Sequence, residues 1–589
     1  MKQFFKFMFA SMLGFFLTFI IVFFLFMAFI MAMISFTKTE EVVISEPTIL
    51  HLKFDYDISD RTTTDPMNFM ISFDSFKTKP GLNDILKNIE KAKEDDNIKG
   101  IYLDLANVPS SLPTLEEIRN AIVDFKESGK FVYAYGDMLF QSAYYLASCA
   151  DKIYLNPEGL VELRGYRGEV VFIKGLLEKL EIEAQIIRHG KFKSAVEPFI
   201  REDMSEPNKE QTLTFISSIW NDISEDISDA RQIDLVKLNQ ITDKLSSLNP
   251  NDALANSLVD SLLYMDQFLS ILANEINVEN VKSENLMSIN KYDKAPAKGK
   301  KEKRSKNKVA IIYATGDIVQ GEGSEDIIGS DKISRTIRQA RLDEKVKAIV
   351  LRVNSPGGDG LASDIILREV VLANEVKPVV VSMGKYAASG GYYIACGASK
   401  IVANPTTLTG SIGVFGLIPN FEMFFKNKMG VTFDGVSTNE NSDYVQVNKP
   451  LTDYQKALIQ KEVDRFYDTF VNHVADGRNM TYAQVDSIAQ GRVWTGTDAI
   501  NNGLVDKLGG LDDAINMAID LAGLEDYRIT ELPEQKEPLE QIIEDLFGGV
   551  KSSVLKEELG VFYHYYKYAD YLRNSSGVQA RLPFELEIK

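Results

Sequence analysis

Pro378-Val379-Val380-Val381-Ser382-Met383-Gly384 leads, through Lys385-Tyr386, into Ala387-Ala388-Ser389-Gly390-Gly391-Tyr392-Tyr393. The first stretch is short, β-branched and continuously apolar, which predicts a strand buried on both faces. The second is a run of small residues, the mark of a tight turn from strand to helix. A serine at such a turn presents its hydroxyl, and the backbone N–H groups of its neighbours point the same way. A nucleophile and one oxyanion donor then arise from a single turn. Ser-Gly-Gly alone marks a plain turn far more often than a nucleophile, so the reading depends on three further motifs.

Asn354-Ser355-Pro356-Gly357-Gly358 closes the apolar run Ala348-Ile349-Val350-Leu351-Arg352-Val353. A Pro-Gly-Gly turn after a strand can offer free N–H groups. With the Ser389 turn one strand later, two donor loops can converge on one carbonyl oxygen. The other motifs are Lys191-Phe192-Lys193-Ser194-Ala195-Val196-Glu197-Pro198-Phe199 and Thr409-Gly410-Ser411-Ile412-Gly413-Val414.

The chain repeats itself at an offset of 248 residues. Tyr144-Tyr145-Leu146-Ala147 through Asn156-Pro157 matches Tyr392-Tyr393-Ile394-Ala395 through Asn404-Pro405, and Gly136 and Gly165 match Gly384 and Gly413. Each copy alternates apolar runs with helix-like stretches, such as Leu115–Ser128 and Ala362–Asn374, a βα pattern. The copies differ at the turn. Gln141 stands in place of Ser389, Ser142-Ala143 in place of Gly390-Gly391, and Asn107-Val108-Pro109 in place of Pro-Gly-Gly. The N-terminal copy keeps the fold without the serine, and Lys193 is the residue it can contribute to a shared site.

At 589 residues the chain is too long for one core. Its net charge of −19 opposes nucleic acid as a partner. The basic block Lys298–Lys308 lacks interleaved aromatics and reads as a solvated linker. Cys149 and Cys396 have no metal or disulfide spacing and read as buried apolar residues. Four scattered histidines form no cluster, so a zinc enzyme is not expected and no cofactor is called for. Phe7–Phe36 is almost wholly apolar and exceeds the roughly 20 residues that cross a bilayer. No A-x-A-like site follows it, which favours a retained anchor over a cleaved signal peptide. Lys2 and Lys6 precede it, whereas Lys38 is offset by Glu40 and Glu41. This balance orients the N-terminus to the cytoplasm and the bulk of the chain outward.

A serine hydroxyl needs a base. No histidine is placed by a motif, although His189 lies close to Lys193 in the chain. A lysine serves if burial away from carboxylates keeps it neutral, and it can then return the proton to the leaving amine. Lys191 reads as an ordinary solvated lysine. The set K-S-A-x-E-P, N-S-P-G-G, A-A-S-G-G-Y-Y and T-G-S-I-G, in this order and with the duplication, resembles the long form of the bacterial signal peptide peptidase A family. The likeness covers most of the chain after the anchor.

The resemblance implies a membrane-anchored serine peptidase with a Ser-Lys dyad. It also implies an α/β fold of two tandem Clp protease/crotonase-like βα domains after one N-terminal transmembrane helix. Carried over by position, Ser389 is the nucleophile, Lys193 the general base, and Ser411 the residue orienting the lysine. The N–H groups of Gly390 and of the Gly357-Gly358 turn, Gly358 preferred, form the oxyanion hole. Glu197 and Arg201 shape the lysine loop. Asp359-Gly360 departs from the family pattern and leaves the local loop shape open. The resemblance further implies remnant signal peptides and other short or unfolded chains as substrates. It implies a homotetramer and a catalytic region on the periplasmic side of the inner membrane. The expected divisions are anchor 1–46, N-terminal copy 47–293, linker 294–307, C-terminal copy 308–535 and tail 536–589. The tail's aromatic run Val561–Tyr566 is expected to pack on the assembly or meet the membrane. Acyl-CoA chemistry on the same fold and an inactive scaffold are the competing readings. The Ala-Ala-Ser-Gly-Gly turn, Lys193 and Ser411 oppose them.

Overall fold

The computed structural model describes residues 2–36, 44, 47–64, 78–296, 305–535, 578–582 and 587–588. Most of the linker and the aromatic run of the tail lie outside these residues. The N-terminal helix Lys2–Phe36 carries the stretch Lys6–Leu25, 20 residues long and apolar enough to cross a membrane. At 1.5 Å per residue that stretch spans about 30 Å, the thickness of a bilayer core.

Both copies build parallel sheets, as their continuous apolar runs demand. In the N-terminal copy the order is Leu286–Ser288, Thr48–Lys53, Ile98–Asp104, Phe131–Leu139, Lys152–Val161 and Ser261–Leu262, with every neighbour parallel. In the C-terminal copy the main order is Val493–Thr495, Leu408–Gly410, Val379–Ala388, Val346–Ser355, Lys308–Thr315 and Arg528–Leu532. Only Val493–Thr495 runs antiparallel to its neighbour along this path. Matched positions of the repeat occupy equivalent places. Phe131–Leu139 followed by helix Gln141–Ala147 corresponds to Val379–Ala388 followed by helix Gly390–Ala395. The helices expected after the first central strands are Leu112–Lys126 and Gly360–Asn374. The second explains the unusual Asp359: its carboxylate accepts from Ala362 N at 2.8 Å and caps the helix. Cys149 and Cys396 are buried thiols, as expected.

Among the contacts that join the copies, two bear on the site. The first is a buried ionic cluster. Arg352, on the central strand of the C-terminal copy, is 0 % exposed and lies 2.8 Å from Asp60 and 2.9 Å from Glu117 of the other copy. The second is a seven-stranded sheet drawn from both copies. In it Glu183–His189 of the N-terminal copy pairs antiparallel with Val414–Asn420 over seven residue pairs, from His189 opposite Val414 to Glu183 opposite Asn420. The short strand Gly357–Asp359 belongs to the same sheet. Between it and Val414–Asn420 lies Val578–Arg581, from the C-terminal end of the chain.

Candidate active site

The shared sheet delivers the lysine. With His189 pinned opposite Val414, the chain turns through Gly190 and brings Lys193 back over Ser411, three residues before Val414. Phe192 N donates to Gln490 O at 2.8 Å, and Gly491 N donates to Ile412 O at 2.7 Å, so residues 490–492 bridge the lysine loop and the Ser411 turn. Gln211, on the helix Glu206–Arg231, donates to Phe192 O at 3.0 Å and to Ser194 Oγ at 2.7 Å, fixing the loop from its other side.

Ser389 sits between its strand and the helix Gly390–Ala395 with φ 55° and ψ −114°, a conformation that non-glycine residues rarely adopt. Such strain costs about 1–3 kcal/mol and persists only where the surroundings enforce it. Here Ser389 N donates to Gly410 O and Tyr393 N donates to Ser389 O, both at 2.8 Å. The corresponding Gln141 has no positive φ. Its side chain instead accepts from Arg164 N and Gly165 N at 2.9 Å, closing the equivalent turn with an amide.

Lys193 Nζ lies 2.8 Å from Ser389 Oγ, 3.0 Å from Ser411 Oγ and 3.1 Å from Ser411 O. All three residues are fully buried. Burial is the cause that drives the Lys193 amine well below the usual lysine range, because a dry site disfavours the ammonium. A neutral amine fits these neighbours: it can donate twice towards Ser411 and accept from the Ser389 hydroxyl.

The Gly-Gly turn stands beside the serine. A side chain on Gly390 would come within 3.1 Å of Gly358 N, so the Gly-Gly turn packs directly against the start of the helix that follows Ser389. Gly357 N donates to Ser355 Oγ at 3.1 Å and is therefore engaged elsewhere. Gly357 also has φ 109°, which a residue with a side chain would resist. Of the two glycines in this turn, Gly357 has its N–H bonded within the turn, and Gly358 has its nitrogen beside Gly390.

The other sequence candidates stand apart from Ser389. His189 Nδ1 lies 2.8 Å from Asp464, and its ring stacks on Tyr467. Lys191 lies over the Phe192 ring. Glu197 accepts from Ser205 N and Asn208 Nδ2, holding the loop against the helix Glu206–Arg231, while Arg201 pairs with Asp203. Among the described residues no group of His, Cys, Asp and Glu is arranged to hold a metal ion.

Gly491 is a positioning residue that the sequence reading did not single out. Its φ is 81°, and a side chain there would meet Lys193 N, Cα and Cβ at 2.7 Å. The available signal was only an isolated glycine before a short strand. Gly491→Ala is expected to lower kcat about ten- to a hundredfold, since misplacing a reacting group by about 1 Å costs on that order. Thermal denaturation should show the fold retained, and kcat within twofold of wild type would refute the positioning role.

A serine on a strained elbow, touching a buried lysine and flanked by backbone donors, places the protein among the serine peptidases. The chain belongs to peptidase family S49, whose model matches residues 124–279 and 372–525. It is 41 % identical to Protease 4 of Salmonella typhi over 483 residues, covering 80 % of this chain and 77 % of that one. It is 32 % identical to the chloroplastic serine protease SPPA of Arabidopsis thaliana over 520 residues, covering 86 % and 75 %. Among solved structures, ClpP1 from Listeria monocytogenes aligns with a TM-score of 0.23 at 17 % identity, covering 34 % of this chain and 92 % of that one.

Proposed function

We propose that the protein is a membrane-anchored endopeptidase in which Ser389 is the nucleophile and Lys193 its general base. The observation that carries this reading is the 2.8 Å approach of Lys193 Nζ to Ser389 Oγ in a fully buried site, where burial drives the amine well below the usual lysine range. Ser389 Oγ attacks the scissile carbonyl while Lys193 takes its proton. The resulting oxyanion receives the N–H groups of Gly390 and Gly358. The lysine ammonium, held by Ser411 Oγ and Ser411 O, then protonates the leaving amine, and water, activated by the same lysine, releases the acyl group. Remnant signal peptides are the substrates proposed, because the apolar N-terminal helix would hold the site at the membrane where such peptides lie. The proposed orientation puts the N-terminus in the cytoplasm and residues 47–535 on the outer face of the inner membrane, as two copies joined by a linker at 294–307. A homotetramer is the assembly proposed.

The test is hydrolysis of a synthetic signal peptide by detergent-solubilised protein. Wild type should cleave it and Ser389→Ala should not; an inactive wild type across several peptides would overturn the reading. The pH dependence follows from the base. Lys193 works as the free amine, so kcat/KM should rise with pH through its depressed folded pKa and then level off. Activity should fall as acid protonates the amine. A profile that rises only near the ordinary lysine range would show that the base is not buried.

A further inference from the structure

The long helix Asp453–Arg478 lies against the sheet that both copies share, and its Ile459, Val463 and Tyr467 enter one core with Ile187 and Ile418 of that sheet. Tyr467 is 1 % exposed and stands between two supports of the lysine loop. On one side its ring stacks on His189 at 4.0 Å, at the end of the strand that leads into the loop. His189 Nδ1 in turn lies 2.8 Å from Asp464 of the same helix. On the other side the Tyr467 hydroxyl donates to Asp486 and accepts from Gln490, whose Nε2 lies 3.1 Å away and whose backbone N lies 3.4 Å away. Gln490 Nε2 also donates to Asp486 at 2.6 Å. Burial first, and Asp486 after it, hold the Tyr467 phenol above its usual range, so it keeps the proton that it donates.

Gln490 has φ 54°, in the left-handed region that residues with side chains seldom enter. Such a backbone persists where its surroundings over-determine it, and here the side chain is tied to both Tyr467 and Asp486. This bend is pressed against the lysine loop. Gln490 O accepts from Phe192 N, and a side chain on Gly190 would meet that oxygen at 2.6 Å. The next residue, Gly491, abuts Lys193 itself, and a side chain on Gly413 would meet Gly491 Cα at 2.7 Å and Lys193 Cδ at 3.3 Å. We infer that Tyr467 is a positioning residue of this site, acting through Gln490 and Gly491 to hold Lys193 against Ser389. The inference rests on the proposed roles of Ser389 and Lys193. The Tyr467 hydroxyl is engaged by Asp486 and Gln490, so its effect passes through the loop and not through a proton. Because burial is what lowers the Lys193 amine, a loosened loop that admits water must raise it again.

Tyr467→Phe keeps the ring on His189 and removes only the hydroxyl. In full-length protein purified in detergent it is expected to lower kcat for a synthetic signal peptide about tenfold, with KM within twofold of wild type. The acid limb of kcat/KM should move to higher pH, a change that mere loss of folded protein does not produce. Gln490→Met keeps the length and removes the amide. It should reproduce both effects, and the double variant should add little to either. Tyr482→Phe is the control: its hydroxyl donates to Asp468 of the same long helix at 2.7 Å, and its kinetics should match wild type. Three results would overturn the inference and leave the dyad standing, given an inactive Ser389→Ala. They are a Tyr467→Phe kcat within twofold of wild type, a lowered kcat with the acid limb unmoved, or an equal loss in Tyr482→Phe. A Ser389→Ala protein that still hydrolyses the peptide defeats the proposed function, and the inference falls with it.

Discussion

Lys193→Met is expected to give a folded protein that hydrolyses peptides at least about a thousandfold more slowly than wild type, as seen when one member of a catalytic unit is removed. Ser389→Ala should lose as much, and the double variant little more, because the serine and lysine act in one proton transfer. The lysine variant should also be the more stable protein. In the folded state burial drives the amine well below its usual range, whereas in the unfolded chain it titrates normally. Between those two values the unfolded chain binds the extra proton, so Lys193 weakens folding there and stability rises with pH across the window. Methionine removes this term and nearly matches the volume. Thermal denaturation at neutral pH should therefore give a higher Tm for Lys193→Met, with a flatter dependence on pH. Retained activity would send the search for a base elsewhere. A lowered Tm at neutral pH would mean that the bonds of Lys193 to Ser389 and Ser411 outweigh the cost of burying its amine.

Arg352→Met is expected to destabilise the protein by about 3–5 kcal/mol, the cost of leaving buried charges without their partner. The guanidinium donates to Asp60 at 2.9 Å, Glu117 at 2.9 Å and Ser382 at 2.8 Å, with no exposure to solvent. Burial works against its charge, but Asp60 and Glu117 outweigh that and raise its pKa further. The carboxylates also serve the C-terminal copy: Glu117 accepts from Leu511 N at 2.7 Å and from Asn404 Nδ2 at 3.0 Å. Adding Asp60→Asn and Glu117→Gln to Arg352→Met keeps acceptors for those donors while removing the unpaired charge, and should recover at least half of the loss. Urea denaturation followed by activity and fluorescence would measure both. A shift below about 1 kcal/mol for Arg352→Met would show that water reaches the cluster. Activity should fall with the fold, because Ser389 and Lys193 come from opposite sides of this boundary.

Local chemistry made much of the protein legible in its sequence. The apolar runs around Val350 and Val380 dictate parallel strands because such strands are covered on both faces, and the 248-residue repeat dictates two of them in tandem. The apolar run after Lys6 dictates one long N-terminal helix. Small residues at 387–391 dictate the elbow, and the motifs around Lys193 and Ser411 identify their residues as candidates. What joins residues 196 apart in the chain was decided only by tertiary structure. The pairing of Glu183–His189 with Val414–Asn420 depends on backbone hydrogen bonds, which leave no side-chain signature. So does the seating of Val578–Arg581, where a strand of ordinary composition finds a partner simply because two edges stand one strand apart. Gly491 and Arg352 were silent for a related reason. A glycine's meaning lies in what approaches it, and a buried arginine's in the charges that the fold brings to it from another copy.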